Sequence, residues 1–176
     1  PASATEAQRA IFLQASSELK TGAGPAYQHL KQQLDDYPLV HYLEYEQLLG
    51  TLHTVTPDQA RAFLSEVQST PLHDEFLHHY LQRKGRTRHW RDFLAIATKP
   101  PRGTERQCYF YRAKRSAGEI ATAWSGAEQL WNVGKSQHEA CDPLFERWII
   151  DGGGPSDSLI WSRALKAFDQ RSPHLI

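Results

Sequence analysis

Glu44 is the side chain in this sequence whose surroundings best suit acid chemistry. It sits in Tyr42-Leu43-Glu44-Tyr45-Glu46, and a carboxyl group among apolar side chains can have its pKa raised into the range of a general acid for glycoside cleavage. The competing reading is a surface glutamate beside Tyr and Leu side chains that form a buried helix face, and the pattern favours it. Asp35-Asp36 before Tyr37-Pro38 reads as a helix end and turn. Of nine histidines, His73, His78 and His79 fall on one expected helix. Their spacing of five and one is not the i, i+4 pair of a helical zinc site, and His73-Asp74-Glu75-Phe76-Leu77-His78 is not His-Glu-x-x-His. They read as solvated or internally bonded. Gly152-Gly153-Gly154-Pro155 lacks the lysine and the strand-to-helix setting of a phosphate-binding loop, and no Gly-x-Ser-x-Gly occurs. His138 lies three residues before Cys141, yet nothing in the spacing singles out a reactive thiol. The expectation is no catalytic residue, no metal ligand set and no cofactor.

The elements that would position these groups are helices. Thr56-Pro57, Thr70-Pro71 and Asp142-Pro143 each place a capping side chain directly before a proline suited to a first helical turn. Thr56 with Gln59, and Thr104 with Gln107, have capping-box spacing. Gly22, Gly85, Gly118 and Gly134 follow apolar-periodic runs and can supply C-terminal caps. These marks predict about ten helices: 5–20, 25–34, 38–49, 57–68, 71–84, 87–97, 104–116, 119–132, 143–150 and 156–170. In the first, Ala10, Leu13 and Ser17 form a stripe with Phe12, Ser16 and Leu19 beside it. In the eighth, Ile120, Trp124, Ala127 and Trp131 share one face. No alternating β-branched run predicts a strand. Short helices with short joins pack antiparallel, and successive hairpins of about 30 residues predict a solenoid. The pair over 104–132 resembles a tetratricopeptide-type hairpin, with Ala123, Gly126 and Ala127 small enough for close helix approach, as a degenerate repeat.

Composition narrows the function class. The chain has 176 residues, 40% of them apolar, with 20 basic and 20 acidic side chains. That suffices for a packed core and excludes a disordered tail. The charge balance offers no footprint for nucleic acid or anionic lipid, and the run Arg83-Lys84-Gly85-Arg86-Thr87-Arg88 reads as a solvated helix end and turn. No stretch is long and apolar enough to span a bilayer. With no Met, the sequence does not start at an initiator, and Pro1-Ala2-Ser3-Ala4 looks like the start of a processed, exported protein. Five Trp, seven Tyr and seven Phe belong mostly to the core; exposed ones would stack on sugar rings or peptide stems. Cys108 and Cys141 are equally compatible with one disulfide and with two buried thiols; a bridge would close a loop of about 33 residues, worth roughly 3–4 kcal/mol.

Several segments resemble a known family. They are Asp36-Tyr37-Pro38-Leu39 with Tyr42-Leu43-Glu44-Tyr45, then Trp90-Arg91-Asp92-Phe93-Leu94, and most densely Glu105 to Trp148. The last includes Gln107-Cys108, Tyr111-Arg112-Ala113-Lys114, Gly118, Ala123-Trp124-Ser125-Gly126-Ala127, Leu130-Trp131, Gly134-Lys135-Ser136-Gln137, Ala140-Cys141-Asp142-Pro143-Leu144-Phe145 and Trp148. Over residues 36–148 the chain is similar to the soluble lytic transglycosylases. That resemblance implies an exported periplasmic protein of Gram-negative bacteria. It implies an all-α, right-handed superhelix of antiparallel hairpins that forms the N-terminal U-shaped domain, followed in the parent by a lysozyme-like domain. That domain cuts the MurNAc–GlcNAc bond of peptidoglycan and leaves 1,6-anhydromuramic ends. The family's cysteine pair matches Cys108 and Cys141, which implies a structural disulfide. His138 departs from the family pattern, which usually has proline there. The catalytic signature, Glu-Ser followed by Gly-Leu-Met-Gln, needs a Met this chain lacks, so no catalytic residue carries over.

The resemblance therefore implies that residues 1–176 are one segment of the helical domain, scaffolding and guiding peptidoglycan strands without cleaving them. A helical-repeat module that binds a protein partner of the cell-wall machinery is the alternative. Oligomeric state is left open, and an uncapped apolar face, with association or fraying, is expected over 150–176.

Overall fold

The computed structural model describes residues 6–170. Among these the chain forms ten α-helices and no strand. They are α1 (Glu6–Thr21), α2 (Pro25–Gln32), α3 (Val40–Gly50), α4 (Pro57–Glu66), α5 (Pro71–Arg86), α6 (Trp90–Ile96), α7 (Thr104–Ser116), α8 (Ile120–Trp131), α9 (Asp142–Asp151) and α10 (Asp157–Asp169). A 3-10 turn, Glu139–Cys141, leads into α9. The expected helices all appear. Pro1 to Ala4 and Pro173 to Ile176, which bear on processing and on the far end, lie outside the described residues. No helix among the described residues is long and apolar enough to cross a membrane. The chain divides into two compact units between Tyr80 and Leu81, inside α5.

In the first unit, Ala15, Tyr27, Leu34, Tyr37, Val40 and Leu43 form a buried cluster, with Ile11, Phe12, Leu19 and Leu30 packed on it. The expected stripe of α1 is corrected: Ala10, Leu13 and Ser17 are exposed. Ile11, Phe12, Ala15 and Leu19 face the core instead, because they put bulk on both sides of an alanine small enough for close contact. Phe63 meets Phe76 edge to face at 4.9 Å and joins α4 to α5. Thr56 caps α4 as its spacing predicts. The Gln59 N–H donates to its hydroxyl, and the Thr56 N–H donates to the Gln59 side-chain oxygen, with Pro57 in the first turn.

The second unit is built around α7. The end of α5 and the end of α7 close alike. The His89 N–H donates to the Lys84 carbonyl and the Arg88 N–H to Gly85; thirty residues on, Glu119 donates to Lys114 and Gly118 to Arg115. Both are Schellman turns, and this is where the degenerate repeat shows. The left-handed position falls on Gly118 at φ 86° but on Arg88 at φ 59°. Gly85 is therefore not a cap; it lies within α5, where a Cβ would overlap the Tyr109 ring. Gly134 is likewise a close approach, against the Lys166 carbonyl of α10. On α8 the buried face is Ala123, Gly126 and Ala127, while Trp124 and Trp131 are half-buried and Ile120 is exposed. The small residues face the partner because α7 presents Tyr111, whose ring occupies the space a Cβ on Gly126 would take.

Two expected caps fail. Thr104 is already helical, with Gly103 at φ 89° before it and no side-chain cap. Asp142 is the first residue of α9, since the preceding 3-10 turn runs directly into the helix. The basic run at 83–88 is not a simply solvated end either: Lys84 is 4% exposed and bonds Asp92 at 2.9 Å.

Candidate functional site

Glu44 lies on α3, where the helix meets α2. The Lys31 ammonium is 2.7 Å from one carboxylate oxygen and His41 Nδ1 is 2.9 Å from the other. Partial burial pushes the carboxyl up, but the hydrogen bonds from Lys31 and His41, with their charges, outweigh it and leave the pKa below its ordinary value. A general acid for glycoside cleavage needs the opposite shift. Burial, with the Glu44 and Glu46 carboxylates, pushes the Tyr27 phenol up to about 12, and that hydroxyl donates to the Leu43 carbonyl. Glu44 is a structural ion-pair acceptor.

Because its pKa is depressed on folding, Glu44 contributes stability that is present in full above the unfolded-state pKa and disappears as pH falls through the folded one. The Glu44→Gln variant should therefore be less stable than the parent chain at pH 7, and the gap should close on acidification below its ordinary value of 4.5. Urea midpoints at pH 7, 5 and 3 check this; a gap independent of pH would show that the lost contact is not electrostatic.

His41 was not apparent as a partner, although its i, i+3 spacing from Glu44 was readable. Glu66 of α4 completes a trio whose ligand atoms lie within 4.8 Å of one another. A cation there would compete with Lys31 for Glu44. The histidines singled out by sequence are placed otherwise: His73 bonds its neighbour Asp74, and His78 and His79 meet edge to face.

The denser constellation is on α7. Cys108 and Cys141 are joined by a disulfide with both residues fully buried, tying α7 to the 3-10 turn before α9. One turn along, the Arg112 guanidinium lies over the rings of Trp90 and Tyr109 and donates to the Ala140 carbonyl. Burial and the nearby Arg88 charge lower its pKa. Glu105 accepts from Gln82, Tyr109 and Arg86. Burial acts to raise its pKa, but these bonds and the Arg86 charge bring it below the ordinary range. The Gln82–Glu105 pair, 23 residues apart, had no signature in the sequence. Glu105 and Tyr109 are matched within this knot, and Arg112 is held by one carbonyl and two ring faces, which suits a rigid joint rather than a reacting centre.

The comparisons with known proteins find lytic transglycosylases. The soluble lytic murein transglycosylase of Escherichia coli is 37% identical over 119 residues, 68% of this chain and 18% of that protein. The crystal structure of the 70 kDa soluble lytic transglycosylase from Escherichia coli superposes with a TM-score of 0.83 at 30% identity, over 94% of this chain and 26% of that one. The chain is homologous to a helical segment of the soluble lytic transglycosylases. An inactive mutant of the lytic transglycosylase Slt from Pseudomonas aeruginosa gives a TM-score of 0.78 at 29% identity, over 94% of this chain and 27% of that one. The expected fold class, an all-α superhelix of short hairpins, is theirs. A model of the cucumovirus coat protein family also matches, over residues 117–176. That match covers a third of the chain. The lytic transglycosylase likeness, at 94% coverage, takes in most of the same residues. This chain spans about a fifth to a quarter of the length of the lytic transglycosylases it matches.

Proposed function

We propose that this chain is a non-catalytic helical portion of a periplasmic soluble lytic transglycosylase, and that it scaffolds the enzyme and guides peptidoglycan strands. The parent would cleave the MurNAc–GlcNAc bond and release 1,6-anhydromuropeptides through a lysozyme-like domain elsewhere in its chain, without a cofactor. The observation that carries this reading is the extent of the structural likeness, 94% of the chain at 30% identity. The state of Glu44 supports the non-catalytic part, since the best-placed carboxylate is ion-paired and held ionised.

Incubation with purified sacculi tests it. The chain is expected to co-sediment with the sacculi and to release no 1,6-anhydromuropeptide detectable by mass spectrometry, whereas the parent enzyme releases it. Product from this chain, or no association with sacculi, would overturn the reading. A second reading, a helical-repeat module for a protein of the cell-wall machinery, draws on α10. There Trp161, Leu165 and Phe168, at i, i+4 and i+7, are 70%, 63% and 73% exposed, an apolar face of the kind that helices dock on.

A further inference from the structure

We propose that a cleft bounded by α8, α9 and the glycine loop between α9 and α10 is a subsite for one neutral N-acetylhexosamine ring of a glycan strand. The choice of sugar rests on the peptidoglycan reading above; the site itself rests on its geometry. The cleft has a volume of about 390 Å³ and is lined by Trp124, Ser125, Glu128, Trp148, Gly152 and Gly154, among others. That falls within the usual size range for small-molecule sites.

The glycine loop has a reason to be where it is. The N–H groups of Gly152 and Gly154 both donate to the Trp148 carbonyl, at 2.8 and 3.1 Å, and turn the chain back over the end of α9. A Cβ at position 152 would stand 2.8 Å from the Trp148 ring and 2.9 Å from Trp124 Nε1, so only glycine lets the loop close on both indoles. Gly153 and Gly154 take φ of 82° and 65°, which side chains resist. Arg115 fixes the same corner from outside, with its guanidinium 5.8 Å from the Trp124 ring centre and 3.2 Å from Asp151 at the loop's start. The glycine run lacks the lysine of a phosphate loop; it closes over the buried Trp148 and holds Trp124 at the edge of the cleft.

The polar side of the cleft defines its ligand. Glu128 and Ser125, both exposed on α8, have no side-chain partner among the described residues, whereas the Ser156 hydroxyl is spent accepting the Leu159 N–H. The half-buried Trp124 indole, backed by the buried Trp148, with an open carboxylate and an open hydroxyl beside it, suits a ligand with an apolar C–H face and a rim of O–H and N–H donors. A pyranose with hydroxyl and acetamido groups is that ligand. The uncompensated charge of Glu128 selects against a sugar carrying a carboxylate, so the muramic acid ring with a free lactyl group is the disfavoured partner of the pair.

The test is titration of the 176-residue chain with the β-1,4-linked tetramer of N-acetylglucosamine, followed by the tryptophan indole N–H signals in NMR. The Trp124 signal is expected to move and saturate. Glu128→Ala and Ser125→Leu, at exposed positions whose folding is checked by circular dichroism, should each weaken the effect by about tenfold or more. Trp161→Ala, outside the cleft, should leave it unchanged. Saturation that follows Trp161 and ignores Glu128 and Ser125 would overturn the proposal. So would the absence of any saturable shift while sacculi still carry the chain down, and in that case the peptidoglycan reading stands. If the chain neither responds to the tetramer nor associates with sacculi, both fall.

Discussion

The Cys108→Ser/Cys141→Ser double variant is expected to lose about 4 kcal/mol of stability in the second unit. The bridge spans 33 residues, and the loop-closure entropy it removes from the unfolded chain has that magnitude in the chain-entropy model. The loss should be felt locally as well. Asn132 is held by Ser162 and Lys166 of α10, but beyond it the described side-chain ties of residues 133–141 are few. Arg112 donates to the Ala140 carbonyl, Gln137 to Leu130, and the His138 ring accepts the Ala140 N–H. Without the bridge this stretch should open first, and α9 should lose its anchor to α7. All five tryptophans, Trp90, Trp124, Trp131, Trp148 and Trp161, lie in the second unit, so tryptophan fluorescence in a urea titration reads that unit alone. A midpoint shift worth less than about 1 kcal/mol would show that the packing of α7 against its neighbours, not the bridge, sets its stability. Because both cysteines are fully buried, reduction by dithiothreitol should be slow in native buffer and fast in urea, at a rate that tracks unfolding.

Much of the fold could be read along the chain because its helices are punctuated locally. Thr56, Pro57 and Gln59 announce the start of α4 within four residues, and Gly118 announces the end of α7; such signals survive without knowledge of tertiary neighbours. What could not be read is rotational phase and distant pairing. The stripe expected on α1 is rotated from the buried face; on α8 the close approach expected of Ala123, Gly126 and Ala127 holds, while Ile120 of the stripe beside them is exposed. Size decides those faces: an alanine or glycine goes where the partner helix is bulky, and the partner's bulk is written elsewhere. Gly85 and Gly134 looked like caps because they end apolar runs, yet each is set by a single tertiary neighbour, Tyr109 and Lys166. Arg88 shows the converse, a left-handed position filled by a residue whose type gives no hint of it. Among the chemical groups, Glu44 was rightly placed on a helix among aromatics. Its fate depended on Lys31, which reaches it from the preceding helix. The tryptophan cleft joins α8 to a loop more than twenty residues on, and no spacing rule connects them.

Gly126→Ala should separate these two levels most sharply. From helix propensity alone the change stabilises, since alanine in a helix interior is favoured over glycine by about 1 kcal/mol. The structure reverses the sign. A Cβ at position 126 would overlap the Tyr111 ring, and that ring is buried and packed edge to face on Phe110 at 5.3 Å, which resists its moving aside. Overpacking of this kind costs about 1–3 kcal/mol, which leaves a net loss read by urea titration with tryptophan fluorescence. Gly126→Leu should prevent α8 from docking on α7 at all. Gly50 at the end of α3, where a Cβ meets nothing within 4 Å, is the control; it lies in the first unit, so Gly50→Ala is followed by circular dichroism and should be neutral or slightly stabilising. The decisive measurement is the double variant. With Tyr111→Ala in place the steric term disappears, so Gly126→Ala should recover its intrinsic benefit and the two changes should couple by about 1 kcal/mol or more. Stabilisation by Gly126→Ala in the parent chain would mean that α7 and α8 do not approach as closely as their small residues permit. Coupling of the expected size would mean that the hairpin's spacing is set by one glycine against one tyrosine. The same pairing recurs at Gly85 against Tyr109, which puts glycine-to-tyrosine contacts on α7 against helices on both sides of it in sequence.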